Sequence, residues 1–219
     1  MKRFIDHYDG KEYDIVIVGG GISGAAVAYD AARRGLSVAL LEKRDFGWAT
    51  SAATSKLIHG GLRYLNYLEF GLVRESLKER RTLENIAPNL VYPFPFMVPN
   101  YNKLLNNRWV IKAGMILYDI LSFDKGWTWD KAKKIPMHYS ISKKEALEAE
   151  PNLRQEGLSA ATVYYDCQSI SPERLTLAFV KSAVQLGADV ANYAEVKDFL
   201  KASDNTIQGA RVYDSLRDR

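Results

Sequence analysis

The residues of this chain that most clearly indicate a chemical function are three glycines at a fixed spacing. Gly19, Gly21 and Gly24 form the pattern G-x-G-x-x-G directly after residues 13–18, whose sequence YDIVIV is typical of a buried parallel strand. In such a motif the first glycine permits a tight turn, the second lets the backbone approach a pyrophosphate, and the third lets the next helix pack against the strand. The pattern therefore predicts a phosphate-binding turn.

The elements around the glycines follow the order of a dinucleotide-binding βαβ unit. Residues 25–34 are rich in small helix formers and end at Gly35, and residues 37–41 (SVALL) predict a second strand. Glu42 comes next, where a carboxylate can accept hydrogen bonds from ribose hydroxyls and repel the 2′-phosphate of NADP. The unit therefore predicts an ADP-containing cofactor, and it leaves FAD and NAD open.

The segment after the second strand favours FAD over NAD. Residues 45–65 are crowded with hydroxyl side chains and then carry His59-Gly60-Gly61, where an NAD-binding fold would continue with an ordinary helix and strand. Hydroxyl groups can cap helices and bind phosphate oxygens, and paired glycines let the backbone come close to a flat ring.

Together these segments resemble the FAD-dependent glycerol-3-phosphate dehydrogenases, which are quinone-linked flavoenzymes that oxidise glycerol 3-phosphate to dihydroxyacetone phosphate. The resemblance is carried by GGGISGAAVAYDAARRGLSVALLEKRDF and ATSAATSKLIHGGLRYL, and it continues more loosely through residues 69–88, PFPFMVP and YYDCQSISPERL. It implies an α/β fold, with a Rossmann-like FAD-binding domain of the glutathione-reductase or amino-acid-oxidase type. An inserted α+β region would lie on the substrate side.

The resemblance also implies which residues contact the cofactor and the substrate. The expected FAD contacts are Gly19, Gly21, Ile22, Ser23, Gly24, Glu42, Thr50, Thr54, Ser55, Leu57 and His59. Arg63 and Tyr64 match family positions that face the substrate pocket, and together with His59 they are the candidate catalytic residues.

Each of the three candidate catalytic residues has an alternative role. His59 could take the proton of a substrate hydroxyl, or it could hydrogen-bond to backbone and fix its own loop. Arg63 could bind a phosphate with its guanidinium fork, or it could form a surface salt bridge. Tyr64 could present its hydroxyl to a pocket or pack in the core.

The composition indicates a globular protein and argues against several functional classes. The chain has 219 residues, 47% of them hydrophobic, and its net charge of +4 suits an anionic substrate or a membrane surface without being a nucleic-acid footprint. The single cysteine, Cys167, cannot form an internal disulfide, and we expect it to be a buried bystander. Three widely separated histidines give no metal-ligand spacing. We therefore expect a cytoplasmic protein without a metal site.

Residues 108–123 (RWVIKAGMILYDILSF) predict a strongly apolar helix that is too short to span a bilayer. Its basic and aromatic front could lie at a lipid interface, or the helix could be buried in the substrate-side region. The family associates with the inner face of a membrane, so the resemblance favours a peripheral membrane contact.

Two further segments have patterns that constrain their surroundings. Residues 72–87 predict a helix whose charges form a solvated face, with Leu77, Leu83 and Ile86 inward. Residues 93–99 (PFPFMVP) predict an extended segment whose prolines exclude a central strand position.

Residues 189–193, 195–202 and 208–213 predict short strands of a small sheet beside the FAD domain. We expect three segments: residues 1–90 as the FAD-binding unit with its flavin loop, residues 91–160 as the insertion, and residues 161–219 as a helix and small sheet that return to the FAD domain.

The resembling family places further flavin contacts and most of its phosphate-binding residues in a following stretch, so we expect the N-terminal part of a longer enzyme. The predicted activity is oxidation of sn-glycerol 3-phosphate with a quinone as electron acceptor, the 219 residues alone being inactive. The alternatives are a glycerol-3-phosphate oxidase that uses oxygen, an amine or amino-acid oxidase with the same front end, and a truncated non-catalytic FAD-binding module. The oligomeric state is open, with a homodimer as one expectation.

Overall fold

The computed structural model describes residues 1–8, 10–102 and 107–219 of a mixed α/β protein. The helices in these ranges are α1 (Ile22–Arg33), α2 (Phe70–Ile86), α3 (Arg108–Leu121), α4 (Lys143–Ala149) and α5 (Pro172–Gln185). The strands are β1 (Ile15–Val18), β2 (Val38–Leu41), β3 (Leu57–Ile58), β4 (Val91–Tyr101), β5 (Tyr139–Ser142), β6 (Leu158–Ser169), β7 (Asp189–Ala191), β8 (Ala194–Lys201) and β9 (Ile207–Asp214). Short 3-10 helices cover Phe4–His7, Ala49–Ser51, Leu62–Tyr67 and Lys131–Lys133.

The chain divides into two compact units whose boundaries differ from the three-segment prediction. The first unit contains residues 1–55 and 171–219, and the second contains residues 56–170. Residues 56–170 stay together because β3, β4 and β5 all pair with β6 in one antiparallel sheet. No boundary therefore falls at residues 90 or 160.

The first unit contains the predicted βαβ arrangement. Its parallel sheet has the order β1-β2-β7, and α1 and α5 share a hydrophobic core with it. Small side chains on α1, including Ala25 and Ala28, are fully buried and let that helix approach its neighbours closely. Val38 and Leu40 of β2 are equally buried, as expected for a central parallel strand.

The prediction of three strands in one small sheet was wrong for the first of them. Asp189–Ala191 forms β7, which pairs in parallel with β2, because α5 precedes it and supplies the crossover that a parallel strand needs. The other two strands, β8 and β9, form a two-stranded antiparallel sheet. Their turn contains Asn205 with a φ of 67°, a conformation that asparagine tolerates well.

The second unit is built on β6, and β4 lies at an edge of its sheet. β4 carries Pro93, Pro95 and Pro99, and among the described residues it pairs only with β6. Proline has no backbone N–H to donate to a second neighbouring strand, which is why the sequence predicted an edge position. The observed pairing confirms that prediction. α2 and α3 contribute Val73, Leu77 and other residues to a separate hydrophobic cluster.

The helix α2 is oriented differently from the prediction. Leu77 is buried as expected, but Arg80 and Glu84 are each only 1% exposed, and Ile86 is 56% exposed. Val73, Leu77, Arg80 and Glu84 are spaced by three or four residues and therefore share one helix face, which is the inward face. The charged side chains of Arg80 and Glu84 therefore lie in the interior, not on the predicted solvated face.

The helix α3 is amphipathic, with one buried face and one exposed face. Met115 and Tyr118 are buried, whereas Trp109, Ile116 and Ile120 are exposed. Within the described ranges, no helix has both the length and the apolar character needed to cross a bilayer.

Candidate functional site

The turn between β1 and α1 depends on two of the predicted glycines for its shape. Gly19 has a φ of +107°, which favours glycine because it has no side chain to clash. A Cβ on Gly24 would lie 1.9 Å from the carbonyl oxygen of Gly19, so any larger residue would push the helix away from the strand. These two residues therefore have the structural roles predicted from the motif.

Gly20, which the motif does not require, is equally constrained. A Cβ on Gly20 would lie 2.6 Å from Cδ1 of Phe46 and 2.9 Å from Cβ of Glu42. Its backbone N–H donates to Oε2 of Glu42 at 2.6 Å. The run of three successive glycines was the only sequence signal for this close approach.

Glu42 is held in a fixed orientation at the end of β2. Besides the bond from Gly20, its Oε1 accepts from the backbone N–H of Arg44 at 2.8 Å. Each carboxylate oxygen can accept more than one hydrogen bond, so both retain acceptor capacity for a ribose hydroxyl. The two backbone donors orient the carboxylate in advance of any ligand.

The N-terminus of α1 offers backbone donors to an anion. Its N-cap residue, Gly21, has no side chain to cap the helix, and the Ile22 N–H donates to Oγ of Ser51 at 2.9 Å. The amides of Ser23 and Gly24 lie in the first turn, where an α-helix supplies no partner, at the positive end of the helix dipole. This is the arrangement that binds phosphate groups in proteins.

Ser51 is a residue whose role sequence reasoning missed. It lies in the 3-10 helix Ala49–Ser51 and is buried against the glycine turn, whereas the predicted contacts Thr50, Thr54 and Ser55 are exposed in the same segment. The many hydroxyl residues in this segment indicated a binding role, but only the structure shows that the Ser51 hydroxyl reaches the N-terminus of α1. Together, the side-chain-free turn, the helix N-terminus and the fixed Glu42 fit the ADP half of a dinucleotide.

In the second unit, His59-Gly60-Gly61 follows β3 and forms a segment that we call the flavin loop. His59 is exposed, and its Nδ1 lies 3.1 Å from the backbone N–H of Gly61, from which it accepts a hydrogen bond. We infer from this bond that Nε2 carries the ring proton of the neutral imidazole. In that tautomer Nε2 donates a hydrogen bond and cannot take a proton.

Arg63 and Tyr64 lie next to each other on the 3-10 helix Leu62–Tyr67. Arg63 is exposed, its guanidinium donates to the Tyr64 hydroxyl at 3.1 Å, and its Cζ lies 5.0 Å from the centre of the Tyr64 ring. No ion pair involves Arg63 within the described residues, so a salt bridge is not its role there. The Tyr64 ring packs beside Leu77 and Tyr118, which leaves the hydroxyl as its polar end.

A cavity of about 640 Å³ opens beside Arg63 in the second unit. Its walls are mostly apolar and come from the same 3-10 helix, from β4 and from α3, with Leu62, Val98, Val110 and Met115 among them. The exposed guanidinium of Arg63 is thus available to an anionic ligand at an otherwise apolar opening.

A family model described as FAD dependent oxidoreductase (DAO) matches residues 14–215. The chain belongs to the FAD dependent oxidoreductase family. This membership confirms the predicted FAD cofactor and the Rossmann-like α/β fold. The assignment of individual residues to FAD or substrate contacts stays a prediction.

Within this family, the similar proteins include glycerol-3-phosphate dehydrogenases. The one from Synechocystis sp. is 43% identical over 93% of the chain, and the aerobic enzyme from Staphylococcus aureus is 36% identical over 94% of it. The structure of glycerol-3-phosphate dehydrogenase from Bacillus halodurans complexed with FAD covers 98% of the chain with a TM-score of 0.69 and 28% identity. The chain covers only 35% of each of the two curated relatives and 33% of that structure, so it spans about a third of their length.

Proposed function

We propose that this chain forms the FAD-binding part of an enzyme that oxidises sn-glycerol 3-phosphate to dihydroxyacetone phosphate. The observation that carries the proposal is the 43% identity over 93% of the chain to a relative named glycerol-3-phosphate dehydrogenase. The geometry supports it, because the first unit fits a dinucleotide and the second presents the exposed guanidinium of Arg63, held by the Tyr64 hydroxyl, beside a cavity.

In this proposal the first unit holds the ADP half of FAD. Gly19, Gly21, Ile22, Ser23 and Gly24 line the pyrophosphate with backbone, and Glu42 accepts from the ribose. The remaining FAD contacts are Thr50, Thr54, Ser55, Leu57 and His59.

Bound FAD supplies the two-electron acceptor that oxidation of a secondary alcohol requires. Arg63 binds the substrate phosphate, and the hydroxyl of Tyr64 orients the guanidinium for that contact. His59 donates a hydrogen bond from Nε2 to an oxygen of substrate or cofactor, as its bond from Gly61 requires. The group that accepts the hydroxyl proton is therefore a different one, or His59 after its bond to Gly61 breaks.

The electron acceptor and the attachment to a membrane form the second part of the proposal. The exposed Trp109, Ile116 and Ile120 of α3 stand with the basic side chains of Arg108 and Lys112, a combination that suits an anionic membrane surface. Peripheral attachment at the inner face of the membrane would give access to a lipid-soluble quinone as electron acceptor. Oxygen consumption during turnover would instead identify an oxidase.

The test is an absorbance spectrum of the purified, desalted protein, followed by anaerobic addition of glycerol 3-phosphate. We expect retained flavin bands, and bleaching by substrate if the chain holds a sufficient site. Flavin that stays oxidised would identify a cofactor module without turnover, and a colourless protein that takes up no FAD would contradict the proposal.

The substitution Arg63→Ala tests whether Arg63 binds the substrate phosphate. Loss of a charged hydrogen bond typically weakens binding by about 10- to 100-fold, so we expect that loss in a titration of the flavin spectrum with glycerol 3-phosphate. Arg34→Ala, which removes an exposed guanidinium paired with Asp30 on α1, should leave the titration unchanged.

A further inference from the structure

A buried polar cluster of the second unit lies directly behind the flavin loop. Asp166 of β6 is 1% exposed, and it accepts hydrogen bonds from the backbone N–H of Gly60 at 3.1 Å and from the Tyr118 hydroxyl at 2.8 Å. The guanidinium of Arg80 forms a close ion pair with the same carboxylate. One side chain thus joins α2, α3 and the flavin loop.

The ion pair makes this cluster rigid. Arg80 is also 1% exposed, so its charge depends on Asp166, and removing one partner of a buried ion pair is strongly destabilising because it leaves the other charge uncompensated. Burial and the nearby Asp166 carboxylate raise the pKa of Tyr118, which keeps its hydroxyl protonated as a donor. The carboxylate therefore has a fixed position from which to hold Gly60.

The backbone of Gly60 is pressed against the same cluster. A Cβ on Gly60 would lie 2.2 Å from Cδ2 of Leu77 and 2.3 Å from the Tyr118 hydroxyl oxygen. Glycine is needed because the peptide must come within hydrogen-bond distance of Asp166. The contact fixes the peptide that follows His59.

We infer that Asp166 is a positioning residue that sets the orientation of the flavin loop through the amide of Gly60. His59 precedes that amide, and Gly61, which follows it, donates to the imidazole. A shift of Gly60 therefore moves both the ring of His59 and its hydrogen bond. The inference rests on the proposed flavin contact of His59 and adds the residues that hold the contact in place.

The test uses Tyr118→Phe and Asp166→Asn in the full chain, measured both without FAD and with FAD bound. Tyr118→Phe removes one hydroxyl and keeps the Arg80 ion pair, so it provides a variant that stays folded if Asp166→Asn does not. The matched control is Tyr165→Phe, because the Tyr165 hydroxyl bonds to Tyr139 and not to Asp166.

Two measurements distinguish the hydrogen bond between Gly60 and Asp166 from the proposed contact of the loop with the flavin. Amide hydrogen exchange in a peptide covering residues 57–62, measured on the protein without FAD, should become about fivefold faster in Tyr118→Phe, as expected for the weakening of one hydrogen-bonded contact. The visible circular dichroism of the bound flavin should change in the same variant. Tyr165→Phe should match the unmodified protein in both.

Unchanged exchange in both variants would overturn the inference, because Asp166 would then not restrain Gly60. Faster exchange with unchanged flavin dichroism would overturn its link to the cofactor. That second outcome would also show that the loop does not contact the flavin, while retained flavin bands would leave the proposed FAD-binding function standing.

Discussion

Glu84 is an ionisable side chain that the fold buries in the interior. It is 1% exposed, and within the described residues neither carboxylate oxygen has a hydrogen-bond partner. Burial raises the pKa of Glu84 to about 7, against the attraction of Arg80 and Lys133, while the Asp130 carboxylate adds to the increase. Cys167 of β6 faces the same region, and burial raises the pKa of its thiol to about 12, so the thiol remains neutral.

This raised pKa predicts a pH dependence of stability. An acid whose folded pKa lies above its ordinary value of 4.5 stabilises the fold fully below that value, and the contribution is lost as the pH rises through about 7. Glu84→Gln removes the titration, so we expect its free energy of unfolding to exceed that of the unmodified protein by roughly 3 kcal/mol at alkaline pH. At acidic pH the two should be similar.

Urea unfolding at a series of pH values measures this difference. Glu148→Gln is the control, because the Glu148 carboxylate is exposed beside Lys144 on α4 and should not change the slope. Parallel pH profiles for Glu84→Gln and the unmodified protein would show that Glu84 does not titrate in this range.

At the scale of elements, sequence patterns correctly predicted the structural features that are set by residues close together in the sequence. The βαβ unit around Gly19 and the edge position of β4 both follow from residues a few positions apart. The inward face of α2 did not, because Arg80 is buried only where Asp166, distant in sequence, provides a counter-charge. Ser51 was missed for the same reason, since its partner, the backbone N–H of Ile22, is 29 residues away in sequence.

The exposed face of α3 leads to a prediction at this scale. Trp109 is 66% exposed and Ile120 is 62% exposed on a helix that carries the basic residues Arg108 and Lys112 near Trp109. Apolar burial and attraction to anionic headgroups should add, so we expect the protein to sediment with vesicles that contain an anionic lipid and much less with neutral vesicles.

The substitution Ile120→Ser should reduce the fraction bound to anionic vesicles several-fold. Ile207→Ser is the matched control, because Ile207 is an isoleucine of similar exposure, 63%, on the β8–β9 sheet. Equal losses for both variants would mean that α3 is not the contact, and equal binding to neutral and anionic vesicles would remove the role of its basic residues.

At the scale of the whole molecule, ligand binding should appear as added stability. A ligand that binds only the folded protein stabilises it by about 2.7 kcal/mol at 100 times its Kd. Since the glycine turn and Glu42 fit the ADP half of FAD, ADP alone should raise the unfolding temperature. Riboflavin, which lacks that half, should have a much smaller effect, and adenosine 2′,5′-bisphosphate should be rejected because Glu42 repels its 2′-phosphate.

Gly24→Ala tests whether the glycine turn causes that stabilisation. The added Cβ would lie 1.9 Å from the Gly19 carbonyl oxygen, so the turn must shift and the increment from ADP and FAD should be lost. Gly71→Ala is the control, since a Cβ at this helical position meets no atom within 4 Å and the increment should persist. If riboflavin stabilised the protein as much as FAD while ADP had no effect, the first unit would not be the anchor of the cofactor, and the flavin loop of the second unit would have to supply most of the binding energy.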